Sequence, residues 1–258
     1  MSKSLRIDFF IVSGIVLLSI PLIFKFEVRP FTSAVLFFVI PSAYLFFRKR
    51  KPIKRILVGS LFIGMGFGLI FDIIATANNA WNFTSSQLIF NYKIFGFLAV
   101  EEPVWFFLWV LFILVFYEHF YDKDKTDKLS KRFKYVVFPT LVVLLLIVFL
   151  AIKNKEQLLI SHAYFFSAIP AFVPVIYVLA KRPNLVPKFL KTSFFFFMLY
   201  LAYELTAIKL GQWYFPGQYI GWVELIDIKF PLEELLFWMG LGSFTVLSLY
   251  EGFIDDDK

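Results

Sequence analysis

Eight apolar runs of membrane-spanning length follow one another along this chain, near residues 8–25, 30–48, 56–78, 95–117, 134–152, 159–180, 189–209 and 230–250. A helix rises about 1.5 Å per residue, so roughly 20 apolar residues cross the hydrocarbon layer. In that layer every backbone N–H and C=O must find its partner within the protein, and a run of this length does so as a helix. Composition agrees, since 60% of the 258 residues are hydrophobic and only 17% charged, against about 25% charged in a soluble domain. The expected fold is an all-α integral membrane protein with eight transmembrane helices. The first run, MSKSLRIDFFIVSGIVLLSIPLIF, lacks the small-residue cleavage site of a signal peptide and reads as the first span.

The basic residues give an orientation. The N-terminus, the connections after spans two, four and six, and the C-terminus together hold 19 of the 26 Lys and Arg. The richest are RKRKPIKR (Arg48 to Arg55) and KDKTDKLSKRFK (Lys123 to Lys134). By the positive-inside rule both termini are expected in the cytoplasm. The net charge of +7 is thus explained by membrane anchoring, and no nucleic-acid partner is expected.

Shifting the chain by 132 residues lays its halves on each other without a gap. Asp72 then falls on Glu204, Trp81 on Trp213, Phe83 on Phe215, Glu101 on Glu233 and Glu102 on Glu234. Lipid-facing positions drift freely while staying apolar, so shared acids and tryptophans are the informative matches. Each unit has four spans, an even number, so both copies insert the same way up. The expected architecture is therefore two parallel four-helix repeats about an axis along the membrane normal. The first covers residues 1–122, a basic linker 123–134, and the second 135–258.

Each unit carries an acid near the outer end of its third span, Asp72 or Glu204, and a Trp nine positions later. Its fourth span opens with adjacent glutamates, in LAVEEPVWFFLW (Leu98 to Trp109) and FPLEELLFWMGL (Phe230 to Leu241). A carboxylate in hydrocarbon costs about 2.5–3.5 kcal/mol even on the lenient insertion scale. Neighbours on a helix point about 100° apart, so one glutamate of each pair can face a pocket while the other packs elsewhere. Asp72, Glu101, Glu204 and Glu233 are expected to share an interior. Trp105 and Phe237 lie one turn below Glu101 and Glu233. Taken singly, such an acid is structural glue, Trp81 and Trp213 are interface anchors, and the Phe clusters face lipid or core. The duplicated set argues for function.

Other chemistries find little support. With no cysteine there is no disulfide, thiolate nucleophile or Cys-based metal site. Gly64, Gly66 and Gly68 sit inside a span and read as helix packing, not a nucleotide loop. No Walker motif, HExxH or nucleophile elbow occurs, and the one Asp run, DDDK, reads as an exposed C-terminal tail. His119 is expected in a cytoplasmic loop, and His162 has no counterpart, because position 30 is Pro.

With VEEPVWF and PLEELLF in a duplicated four-span unit, the chain resembles the flavin-independent, membrane-embedded lycopene cyclases, in their fused two-copy form. The P-x-E-E-x-x-F pattern is complete at Pro231, Glu233, Glu234 and Phe237. In the first copy Ala99 replaces the Pro, and Trp105 takes the aromatic place. The resemblance implies acid-catalysed, redox-neutral cyclisation of the acyclic ends of lycopene, or a related acyclic carotenoid, to ionone rings. It implies no cofactor and no metal, a place in a bacterial cytoplasmic membrane in contact with lipid, and other carotenoid-pathway enzymes as partners. Glu233, Glu234, Glu101, Glu102, Asp72 and Glu204 are then the catalytic candidates. Trp81, Phe83, Trp105, Trp213, Phe215 and Phe237 are the substrate-binding ones. The chemistry needs a neutral carboxylic acid, a form that desolvation favours, and aromatic faces for the resulting cation. The alternative is a proton-coupled membrane transporter with the carboxylates as relays.

Overall fold

The computed structural model describes residues 2–48, 51–84, 87–90, 92–122 and 126–255. Lys49, Arg50, Asn91, Lys123, Asp124, Lys125 and Lys258, which enter the charge and linker readings, lie outside the described residues. Among the described residues seven helices are long and apolar enough to cross a membrane. They are α1 (Lys3–Phe26), α2 (Pro30–Arg48), α3 (Ile53–Ala77), α4 (Glu101–Asp122), α5 (Phe133–Lys153), α6 (Ala163–Lys181) and α7 (Pro183–Lys209). A further helical run, α8 (residues 234–254), closes the chain. This is a multi-pass helical membrane protein.

Local chemistry sets the helix ends. Ser2 caps α1 by accepting the Leu5 N–H, and Glu27, in the left-handed conformation, terminates it. Pro30 opens α2 in the first turn, where a missing N–H costs nothing. The Glu234–Leu241 part of α8 and the Ser60–Gly68 part of α3 are wound as π-helix, a form found mostly at functional sites.

Packing ranks the helices. In α4 67% of the most apolar stretch is buried, in α5 only 6%, so α4 is central and α5 is a peripheral helix packed on α3 by one side. Helices α3 and α4 approach most closely at glycines. A Cβ at Gly64 would lie 2.8 Å from the Phe106 carbonyl oxygen, and one at Gly68 would lie 2.9 Å from the Phe106 ring.

The fourth span begins at Glu101 and not near residue 95. The preceding residues form a small hairpin, β2 (Lys93–Ile94) with β3 (Leu98–Ala99). Two more antiparallel pairs roof the same end: β1 (Asn82–Phe83) with β4 (Trp213–Tyr214), and β5 (Trp222–Leu225) with β6 (Ile228–Pro231). Apolar alternation in these loops continued the span pattern, which hid the strands. The odd-numbered connections meet here: Asn78 donates to the Leu158 carbonyl, Gln212 to that of Val28, and Tyr219 to that of Ala80. Tyr219 lies in a loop, and burial pushes its phenol above the ordinary range, so it stays a donor.

The other end gathers the termini and the even-numbered connections. Buried Arg55 bonds Glu118, Tyr250 and Asp255. Arg48 and His119 both hold Asp8, at 2.7 and 2.9 Å. Arg182 reaches Glu251, and Lys188 reaches Asp122. Linker residue Asp127 accepts the Lys54 N–H, and Leu129 pairs with Asp255. Two expectations are corrected here. Asp255 of the DDDK run is buried instead of exposed, and His119 is buried on α4 instead of lying in a loop. Each bonds a residue remote in sequence, which local composition could not reveal.

Candidate functional site: a chamber lined by acids and aromatic rings

Beneath the roof of short strands lies a chamber of about 180 Å³. The acids near the outer ends of α3 and α7 and those opening α4 and α8 gather at this end because helix ends and starts meet there. Glu101, Glu102, Glu204 and Glu234 line it, as do Trp81, Phe83, Trp105, Trp213, Phe215 and Phe237. Glu233 is not in the lining. It is fully buried, and its Oε1 accepts the Ile220 N–H at 2.8 Å, tying α8 to the loop before β5. Glu101 plays the same part on α4, accepting Ile89 and Phe90 N–H groups at 2.8 and 3.0 Å, while still reaching the chamber. The expected interior set of Asp72, Glu101, Glu204 and Glu233 is therefore corrected. The second glutamate of each pair, Glu102 or Glu234, meets the acid of the third or seventh helix, and Glu233 turns to the roof.

The two acid pairs are built differently. Asp72 lies behind the wall, fully buried, with neither oxygen receiving an N–H or O–H from another kind of group. Glu102 is the acid beside it. Glu102 accepts Trp81 Nε1–H at 2.9 Å and the Ala99 N–H at 2.9 Å. In the second pair Trp213 Nε1–H donates at 2.9 Å to Glu204, the acid of α7, and not to the glutamate of α8. Glu234 lines the chamber together with Glu204 and Tyr164. Among the described residues no N–H donates to Glu234.

Sequence reasoning did not single out Tyr164, Tyr203, Trp109 or Trp238, all of which line the chamber. Trp238 is ringed by Trp105 and Trp109, each 4.7 Å away between centroids, and by Tyr200 at 4.5 Å. Trp105 and Trp109 donate to the hydroxyls of Tyr203 and Tyr200, which pins the block. A repeat of four along α8 was the available signal: Glu234, Trp238, Gly242 and Val246 all line the chamber, as do Phe237 and Thr245 beside them. The wall itself is almost entirely apolar.

No family, curated protein or solved structure matches this chain. The reading of the site rests on its own geometry.

Proposed function

We propose that this protein is a membrane-embedded cyclase that closes the acyclic ends of lycopene, or of a related acyclic carotenoid, into ionone rings by acid catalysis. The observation that carries this reading is the carboxyl of Glu234, which accepts no N–H among the described residues, in the wall of a chamber lined by aromatic rings. A proton from Glu234 adds to the terminal double bond and leaves a tertiary cation. The neighbouring double bond attacks it, a C–C bond closes the six-membered ring, and the cation moves to a ring carbon. Loss of a proton from the adjacent carbon restores an alkene, with a carboxylate of the acid set as acceptor. Atoms and electrons balance without oxidant or reductant, and the protein's own part is to hold the donor, exclude water and face the cation with rings.

We further infer two parallel four-helix repeats, 1–122 and 135–258 joined by 123–134, with both termini cytoplasmic. Contacts come in matched sets that support this: α1 with α7 beside α5 with α3, α2 with α4 beside α6 with α8, and α3 with α4 beside α7 with α8. Strand β1 pairs antiparallel with its own counterpart β4, Asn82 lying opposite Tyr214, as a two-fold axis through the roof requires. A proton-coupled transporter would need polar groups from one end to the other. Fully buried Phe112, Leu114, Phe116 and Phe196 lie among the interior residues of α4 and α7, beside buried hydroxyls of Ser193, Tyr200, Ser243 and Ser248 and with no buried acid or base between Glu102 and Glu118 on α4.

The test is expression in a lycopene-accumulating bacterium, followed by pigment chromatography. Ring-bearing carotenoids in place of lycopene are the expected result. Unchanged lycopene at normal protein level would contradict the proposal.

A further inference from the structure

Resting on the cyclisation reading, we propose that Trp238 is a catalytic residue of the same site, the ring that holds the carbocation once Glu234 has released its proton. Trp238 stands four residues after Glu234 on the same chamber-facing line of α8. It is half-buried, one part in the chamber and the rest packed within 4.7 Å of Trp105, Trp109 and Tyr200. Those neighbours are fixed by hydrogen bonds to Tyr203, Tyr200 and Ser243, so the Trp238 ring is held in place in the chamber wall before any charge forms. An indole offers the strongest π face for a cation, and a desolvated site strengthens the attraction.

In the first half Trp105 follows Glu101 at the same spacing, but Glu101 already accepts the Ile89 and Phe90 N–H groups, and the position 132 residues before Trp238 is Phe106, pressed against Gly64 and Gly68 of α3. An acid that accepts no N–H among the described residues, followed by an indole, therefore stands on α8. That places the cation on the α8 side, below Glu234.

The experiment uses the full chain in lipid nanodiscs with lycopene as substrate. Trp238→Leu should lower kcat about 30-fold and Trp238→Phe about fivefold, KM moving far less. Mono-, di- and trifluorinated tryptophan placed at position 238 keep the shape while draining the π face. They should lower kcat stepwise at unchanged thermal stability, which a purely structural ring would not do. If Trp238→Leu fails to fold, the fluorinated series decides. A rate indifferent to fluorination, or wild-type kcat in a folded Trp238→Leu protein, overturns the assignment and leaves the cyclase reading standing. Absence of ring product from the unaltered protein overturns the cyclase reading, and the role of Trp238 with it.

Discussion

The two ends of this bundle bury the same residue types to opposite purpose. At the ionic end Asp8, Glu118, Asp122, Glu251 and Asp255 each meet a basic partner: Arg48 with His119, Arg55, Lys188, Arg182 and again Arg55. At the chamber end Asp72, Glu102, Glu204 and Glu234 form no ion pair among the described residues, and their nearest polar neighbours include one another. Buried charges are ordinarily paired, because desolvation costs several kcal/mol per ion. An unpaired acid set that also lines a cavity has no such structural account. The ionic end ties helices together, and the chamber end keeps acids usable.

That contrast can be broken by exchanging the expected consequences of mutation. Glu234→Gln keeps shape and hydrogen bonding but cannot protonate an alkene, so ring formation should fall by about 10² or more with the melting temperature unchanged. Arg55→Met strands Glu118 and Asp255 in the interior and should destabilise the fold by about 3–5 kcal/mol. Activity per folded molecule should survive, read by thermal melts beside pigment assays. A stable Arg55→Met protein without activity would mean that the two ends share one function.

Smaller effects sharpen the difference between the acid pairs. Glu102→Gln should slow turnover about tenfold, since it disturbs a proton acceptor and not the donor. Equal losses in Glu102→Gln and Glu234→Gln would make the halves equivalent. Trp213→Phe removes one hydrogen bond to Glu204, worth about 1 kcal/mol, and should cost only a few-fold in rate.

Much of this was legible in the sequence, for identifiable reasons. Runs of apolar residues mark spans because hydrocarbon tolerates little else, and the starts of α2, α3 and α5 lie within three residues of the expected ones, while α7 begins six residues early. The carboxylates stood out for the same reason, by their cost. The partners of Asp8, Arg55 and Asp255 did not, because pairing across 40 to 200 residues leaves no local trace. Nor did Trp109, Trp238 and Tyr164: an aromatic residue at helical spacing reads alike whether it faces lipid, core or chamber. That Glu234 and not Glu233 enters the chamber was hidden because the Ile220 N–H that claims Glu233 comes from a loop 13 residues away.

The most direct test of whether the unpaired acids deliver a proton is cyclisation of lycopene by the purified protein in D2O, with mass analysis of the product. The account predicts one deuterium per ring closed, carried from the exchangeable carboxyl of Glu234, and no ring product from Glu234→Gln. Rings formed without deuterium, or labelled rings at the wild-type rate from Glu234→Gln, would contradict it.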